Sequence, residues 1–317
     1  VKDNTFEHYV AYKKGVENTR EPYFKEIVGA EKMLCYESPS ELLSIIKEKK
    51  PFILHRYSAG IPEFPFVKEI KEHTRHFVST AVFGNQDNTI DISKVIYVSK
   101  HIQWLAGTQA TKNHHVVRNP IEGPYSTENL REELGIPEDA FVFGRIGRDD
   151  ESIYENINIR AYAEVERDNV YFVLVAPSDK CRDDIKRLGI KNAKFIERTT
   201  SEVRISQFYN TIDVQAHARR DGECNSAAHF EGFAHRVPLI SHYGENFNGH
   251  METTGDAGFI VLPNDVEEYA RIMKAFIDKE IDYETLSNNA YLQWCKVTPE
   301  LMGNAQLDIY KELLKNT

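Results

Sequence analysis

Along the first 120 residues, short apolar runs alternate with longer polar stretches. Residues 32–36, 51–55, 76–82 and 94–98 are compact runs rich in Val, Ile, Phe and Tyr, the pattern of short strands buried within a sheet. Between the first two, Ser38-Pro39 opens a segment whose apolar positions recur at spacings of three and four, which predicts a capped helix over 38–47. A further run at Val116 leads into Asn119-Pro120, and the turn-rich segment 122–127 reads as a linker. The pattern then restarts. Strands are expected at 140–148, 171–176, 193–197, 212–217, 237–241 and 258–262, with helices at 203–209, 265–278 and 300–315. Such alternation predicts an α/β fold with largely parallel sheets.

Composition changes this picture little. The 317 residues suggest two domains, and 41% hydrophobic with 28% charged residues is ordinary for a globular chain. The net charge of −10 argues against nonspecific nucleic-acid binding. It leaves room for an anionic small ligand held by local arginines. Cys35, Cys181, Cys224 and Cys295 are far apart with no CxxC pair, which favours reduced thiols and a cytoplasmic-type compartment. No apolar run approaches the ~20 residues of a membrane span; peripheral membrane contact stays open. The start at Val1 is polar, reads as no signal peptide and lacks Met, which suggests a trimmed or incompletely represented chain. Nothing in the sequence signals an oligomeric state.

The densest chemistry lies in Glu223-Cys-Asn-Ser-Ala-Ala-His-Phe-Glu231, followed by Gly232-Phe-Ala-His-Arg-Val-Pro238-Leu-Ile240. Asn225 and Ser226 begin a helix between two carboxylates. A helix N-terminus offers unpaired N–H groups and partial positive charge, which suit a phosphate. The carboxylates can accept hydrogen bonds from sugar hydroxyls. Upstream, Phe143-Gly-Arg145-Ile-Gly147-Arg148 ends a strand with two glycines and two arginines. Glycine lets backbone approach a ligand, and the arginine fork matches phosphate oxygens.

These segments resemble the Glu-x7-Glu signature of retaining, GT-B-fold glycosyltransferases, most closely the large family 4. Glu223, Glu231, Pro238 and Ile240 fall in register with it, and Gly244-Glu-Asn246 and 255–263 follow as the family's downstream stretch does. The resemblance covers about 116–275. It implies two Rossmann-like domains with a cleft between them: an acceptor-side domain at 1–122, a nucleotide-sugar domain at 123–299, and a helix at 300–317 crossing back to the first. Residues 1–31 show neither the opening strand nor the glycine-rich turn of that pattern, so the first domain is expected to be incomplete or divergent.

Carried over residue by residue, the resemblance makes Arg148 the donor-diphosphate arginine, with Arg145 and Gly147 beside it. The amides of Ser226 and Ala227, after Asn225, face the diphosphate. Glu231 meets the ribose and Glu223 the transferred sugar, while Arg198 and Thr199 lie where backbone meets the base. The family usually places Lys where this chain has Ile153, and Lys180 or Arg198 could compensate. His55, at a strand end, is read as a catalytic or sugar-contacting group, and Val82-Phe-Gly84-Asn85 as part of an acceptor floor. Cys224 reads as a space-filling thiol, His229 and His235 as packing or solvent-facing groups. Asp149-Asp-Glu151 resembles the metal-binding DxD of another glycosyltransferase fold, but its position marks a solvated loop. The 12 histidines show no metal spacing, so no metal or tightly bound cofactor is expected. The implied activity is transfer of a sugar from a UDP- or GDP-sugar to a glycan or other acceptor, with retention. The alternative is a degenerate module that binds nucleotide or glycan without transfer. An epimerase or phosphorylase relative stays open, and a nicotinamide dehydrogenase is disfavoured by the lack of GxGxxG.

Overall fold

The computed structural model describes residues 4–15, 21–58, 67–84, 92–107 and 113–315. The chain divides into two compact units. Unit 1 comprises Val1–Val98, Ile102–Val117 and Gly303–Thr317; unit 2 comprises Ser99–His101 and Arg118–Met302.

In unit 1, β1 (Val10–Lys13) pairs in parallel with β2 (Met33–Tyr36). A second parallel sheet runs β3 (Ile53–Ser58), β4 (His76–Ala81), β5 (Lys94–Tyr97), β6 (His114–Val116) in spatial order. Ser38 caps the helix Pro39–Lys49 by accepting from the Glu41 amide, with Pro39 in the first turn. Leu42, Leu43 and Ile46 of that helix join Ile70 and Phe77 in a small core, against which Leu54 packs. Residues 55 and 57 alternate with 54 and so project to the opposite face. There the end of the helix Pro299–Lys315 meets them: Tyr57 donates to Gln306 at 2.9 Å, and buried Lys94 pairs with Glu312 at 2.6 Å.

Two details differ from the sequence reading. The segment before residue 31 does contain a strand, β1. It is only four residues long and alternates half-buried with exposed positions, too short a run to register as a period. Also, β3 is not 51–55 but Ile53–Ser58, which carries Arg56 and Tyr57 into the sheet. Asn85 of the expected acceptor floor lies outside the described residues.

Unit 2 is a six-stranded, all-parallel sheet with order β14-β12-β10-β7-β8-β9. These are β7 (Phe141–Ile146), β8 (Val170–Val175), β9 (Ala193–Ile196), β10 (Val214–Ala216), β12 (Leu239–His242) and β14 (Gly258–Val261). The near-continuous apolar runs are explained by burial on both faces: Phe143, Phe172 and Leu174 belong to one core cluster, Val142, Val173 and Val175 to another. Two residues each of β11 (Gly222–Glu223) and β13 (Phe247–Asn248) form a separate parallel pair. The helices Ile157–Val165, Asp179–Leu188 and Tyr283–Trp294 were not anticipated. The second is dominated by charge, and the third buries only Ala290, so neither shows a strong apolar stripe. The linker is held down where the amides of Tyr125 and Ser126 both donate to Ser206 Oγ at 3.0 Å.

At the entrance to the sheet, Arg131 donates to the carbonyls of Pro137, Glu138 and Ala140, and to Asp213, which itself accepts from the Val142 amide at 2.7 Å. Burial raises the Asp213 carboxyl, with the Val142 amide and Arg131 opposing. Replacing Arg131 by Leu strands three carbonyls and a half-buried carboxylate. The expected loss is about 3 kcal/mol, visible as a lowered denaturant midpoint; an unchanged midpoint would contradict this account.

Candidate functional site

The parallel strands of unit 2 all present their C-terminal ends on one edge. Strand order reverses between β7, which leads on to β8 and β9, and β10, which begins the other half. Ligands of open α/β sheets bind at such a reversal. The sequence-derived candidates Arg145, near the end of β7, and Gly147 and Arg148, just after it, lie on one side of the reversal, and Glu223, after β10, lies on the other.

Glu223 owes its position to backbone packed too tightly for side chains. Gly222 has φ 75°, and a Cβ there would lie 1.8 Å from the Phe247 carbonyl oxygen. A Cβ on Gly249 would lie 2.0 Å from the Cys224 carbonyl oxygen. These glycines let β11 lie against β13, and the Gly249 amide donates to the Glu223 carbonyl at 2.8 Å. The Glu223 side chain then sits 3.4 Å from His217 Nε2 and 3.6 Å from Arg219 Nη1. Burial raises its carboxyl above the usual range, Asp221 adds to this, and Arg219, Arg148 and Arg145 act against it.

Arg145 is buried, with Nε donating to the Ala218 carbonyl at 3.4 Å, and burial lowers its affinity for the proton. Its guanidinium lies beneath Gly147, where a Cβ would come within 3.1 Å. Arg148 is exposed, and its charge reaches both Asp150 and Glu223. Ile153 is buried, and the Arg220 amide and guanidinium donate to the carbonyls of Ile153 and Tyr154. Arg219 was overlooked in the sequence. It is locked to Asp221 by two bonds of 2.6 and 3.0 Å, beside Glu223. Its signal was the spacing of Arg219, Asp221 and Glu223 at every second position, the period of a strand, in a stretch of which only Gly222–Glu223 pairs as one. Lys180 lies over the Tyr154 ring at 5.7 Å.

Ser226 begins the helix Ala227–Ala234 without a side-chain capping bond, so its first-turn amides stay available. Asn225 is buried, and neither side-chain polar atom has a hydrogen-bond partner. Burial, then Glu223, pushes the Cys224 thiol up to about 12, so it remains protonated. Glu231 is half-buried, with the Tyr209 hydroxyl 3.3 Å away. Thr199 accepts from the Ser201 amide at 3.1 Å, and Arg198 is exposed just beyond the edge strand β9. Behind Glu223, His217 and His229 meet edge to face at 4.3 Å, and both ring nitrogens of His229 lack hydrogen-bond partners. Burial keeps His217 and His229 neutral. His235 bonds the Glu231 carbonyl and Ser206. Among the described residues, no group of three or more His, Cys, Asp or Glu side chains could hold a metal ion, and no helix is long and apolar enough to cross a membrane.

His55 belongs to unit 1. Its Nε2 bonds Thr80 Oγ1 at 2.8 Å, Nδ1 engages the Tyr310 hydroxyl, and the ring stacks on Tyr57. Burial lowers its pKa to about 4.

The doubly wound parallel sheet, with arginines and a helix N-terminus at its strand reversal, places the protein in the α/β class. Residues 126–293, more than half of the chain, match the family Glycosyl transferases group 1, and the protein belongs to that family. A glycosyltransferase from Rickettsia africae aligns over 98% of this chain and 91% of its own, with TM-score 0.77 and 19% identity. Anabaena Alr3699/HepE, in complex with UDP and glucose, aligns over 92% of this chain and 89% of its own, with TM-score 0.72 and 16% identity. Sucrose-phosphate synthase from Thermosynechococcus elongatus gives 88% and 78%, TM-score 0.65 and 15% identity. The fold is therefore GT-B. No curated protein matches the sequence.

The raised Glu223 carboxyl has a stability consequence. Below the unfolded value of 4.5 the group is protonated in both states; above it, ionisation costs the folded state more. Glu223→Gln should therefore stabilise the protein at pH 7 and lose that advantage on acidification below about pH 4. Denaturation at both pH values checks this; an equal effect at each would refute it.

Proposed function

We propose that the protein transfers a sugar from a nucleotide-sugar to a glycan or other acceptor, with retention of configuration and without a divalent metal. The observation that carries this reading is the convergence at the β7/β10 reversal. Glu223 lies within 3.6 Å of Arg219 and within the field of Arg148 and Arg145, in the loop that leads into an uncapped helix N-terminus. In this reading Arg148 and the amides of Ser226 and Ala227 meet the charge that builds on the departing nucleoside diphosphate. Arg145 supports them from below, and Arg219 stands in for the cation missing at Ile153. Glu223 accepts from the transferred sugar and Glu231 from the ribose. Arg198 and Thr199 border the base. Retention follows the Glu-x7-Glu resemblance, with front-face attack and no protein nucleophile. Residues 123–299 act as the donor domain and 1–122 as the acceptor domain; His55, whose two ring nitrogens are taken up by Tyr310 and Thr80, is given no part in the transfer. Either UDP- or GDP-sugars fit the charge arrangement; the UDP complex of the Anabaena protein favours UDP.

The second reading is binding without transfer. The buried Ile153 favours it, since one cation of the family's phosphate clamp is absent.

Calorimetric titration of the whole chain with UDP, GDP and ADP separates these. One diphosphate should bind preferentially, with affinity falling about tenfold or more in Glu231→Ala and in Arg148→Ala. Unchanged affinity in both variants would sink the site. Turnover of a UDP- or GDP-sugar then distinguishes an enzyme from a binding module.

A further inference from the structure

Arg56 stands where the sheet pattern calls for an apolar residue. It follows Leu54 by two along β3 and so shares its face, the one that packs on Leu42, Ile46, Ile70 and Phe77. Its guanidinium lies 5.4 Å from the centre of the Phe77 ring. Nε, Nη1 and Nη2 are all buried, and none has a hydrogen-bond partner. Five N–H donors without an acceptor are costly in such a place.

Beside it lies a cavity of about 270 Å³. Residues 54–57 of β3 line one side, and Ala11 of β1 lines another. Among the described residues β1 pairs only with β2 and β3 only with β4, so the two strands border the cavity with unpaired edges. Leu42, Ile46, Ile70 and Phe77 supply apolar wall. Among the described lining residues, Arg56 carries the only charge. His55 also borders the cavity, but it is neutral at physiological pH and its nitrogens are engaged by Thr80 and Tyr310.

We infer that this cavity of unit 1 binds a small amphipathic acid: one carboxylate held by the Arg56 fork, with an apolar body against the helix Pro39–Lys49. A fork of parallel N–H donors matches a carboxylate bidentately. One guanidinium neutralises one negative charge, and with no second cation among the described lining residues a monoanion fits better than a phosphate dianion. At ~30 Å³ per water-sized volume, the space suits on the order of ten non-hydrogen atoms. This inference does not rest on the nucleotide site of unit 2.

The test is calorimetric titration of the full chain with sodium octanoate, with acetate and octanol as controls and the melting temperature as a second readout. Octanoate should bind at one site per chain and raise the melting temperature. Acetate, lacking the apolar body, and octanol, lacking the charge, should each bind at least about tenfold more weakly. Arg56→Met should weaken octanoate at least about tenfold and leave UDP affinity as in the parent chain. Should that variant not fold, Arg56→Lys keeps the charge but loses the fork and should weaken octanoate severalfold. Octanol binding as tightly as octanoate overturns the proposal. So does the absence of saturable octanoate binding, or an unchanged octanoate affinity in the folded Arg56 variant. A chain that binds octanoate but no nucleotide overturns the transferase reading and leaves this one standing.

Discussion

A carboxylate taken out of water must be answered by nearby positive charge, and Glu223 sets that requirement for unit 2. Burial alone would drive it toward protonation; Arg219, Arg148 and Arg145 oppose this. The arginines come from two separate strand ends, β7 and the loop after β10, which the parallel sheet brings to the same edge. Their mutual repulsion is contained by Glu223 and by Asp221, which holds Arg219 in a fork. Without the glycine contacts at positions 222 and 249, the loop could not approach β13, and the charges would be poorly registered. The cluster is thus held together by backbone sterics first and electrostatics second.

The same close packing shapes the approach to the helix N-terminus, where the Cys224 carbonyl leaves no room for a side chain on Gly249. The buried Cys224 thiol stays protonated, and the buried Asn225 amide has both polar atoms unpaired. The neutral histidines behind Glu223 add bulk and polarity without adding charge.

Much of this was legible in the sequence. Strands buried on both faces leave unbroken apolar runs, so every strand of the unit 2 sheet was placed to within about three residues, which is ordinary for boundaries read from one sequence. The Glu223-to-Glu231 segment announced a helix with small residues at its start, and the Gly-Arg run marked where β7 ends. What escaped has physical reasons. β1 is only four residues long, too short for its alternation to stand out. The helix Tyr283–Trp294 buries one side chain, so its periodicity is faint. Arg219 acts through an irregular loop, where spacing says little about proximity. Arg56 was hidden by a strand boundary set three residues too early, since a charged residue argues for the end of an apolar run and against its continuation.

The composition of unit 1 has a consequence for how the protein is made. Its strands come from the first 117 residues, yet His55, Tyr57 and Lys94 are satisfied by Tyr310, Gln306 and Glu312. Unit 2, by contrast, is nearly contiguous, drawn from Arg118–Met302 plus three earlier residues. During synthesis the later-encoded unit can therefore acquire its full set of contacts while the earlier one still waits for its closing helix. Contacts spanning some 250 positions are slow to form because loop closure precedes any reward. The nascent chain thus departs from the usual order in which the N-terminal domain folds first, and the interval before residue 310 emerges is when the polar face of the β3–β6 sheet lies uncovered.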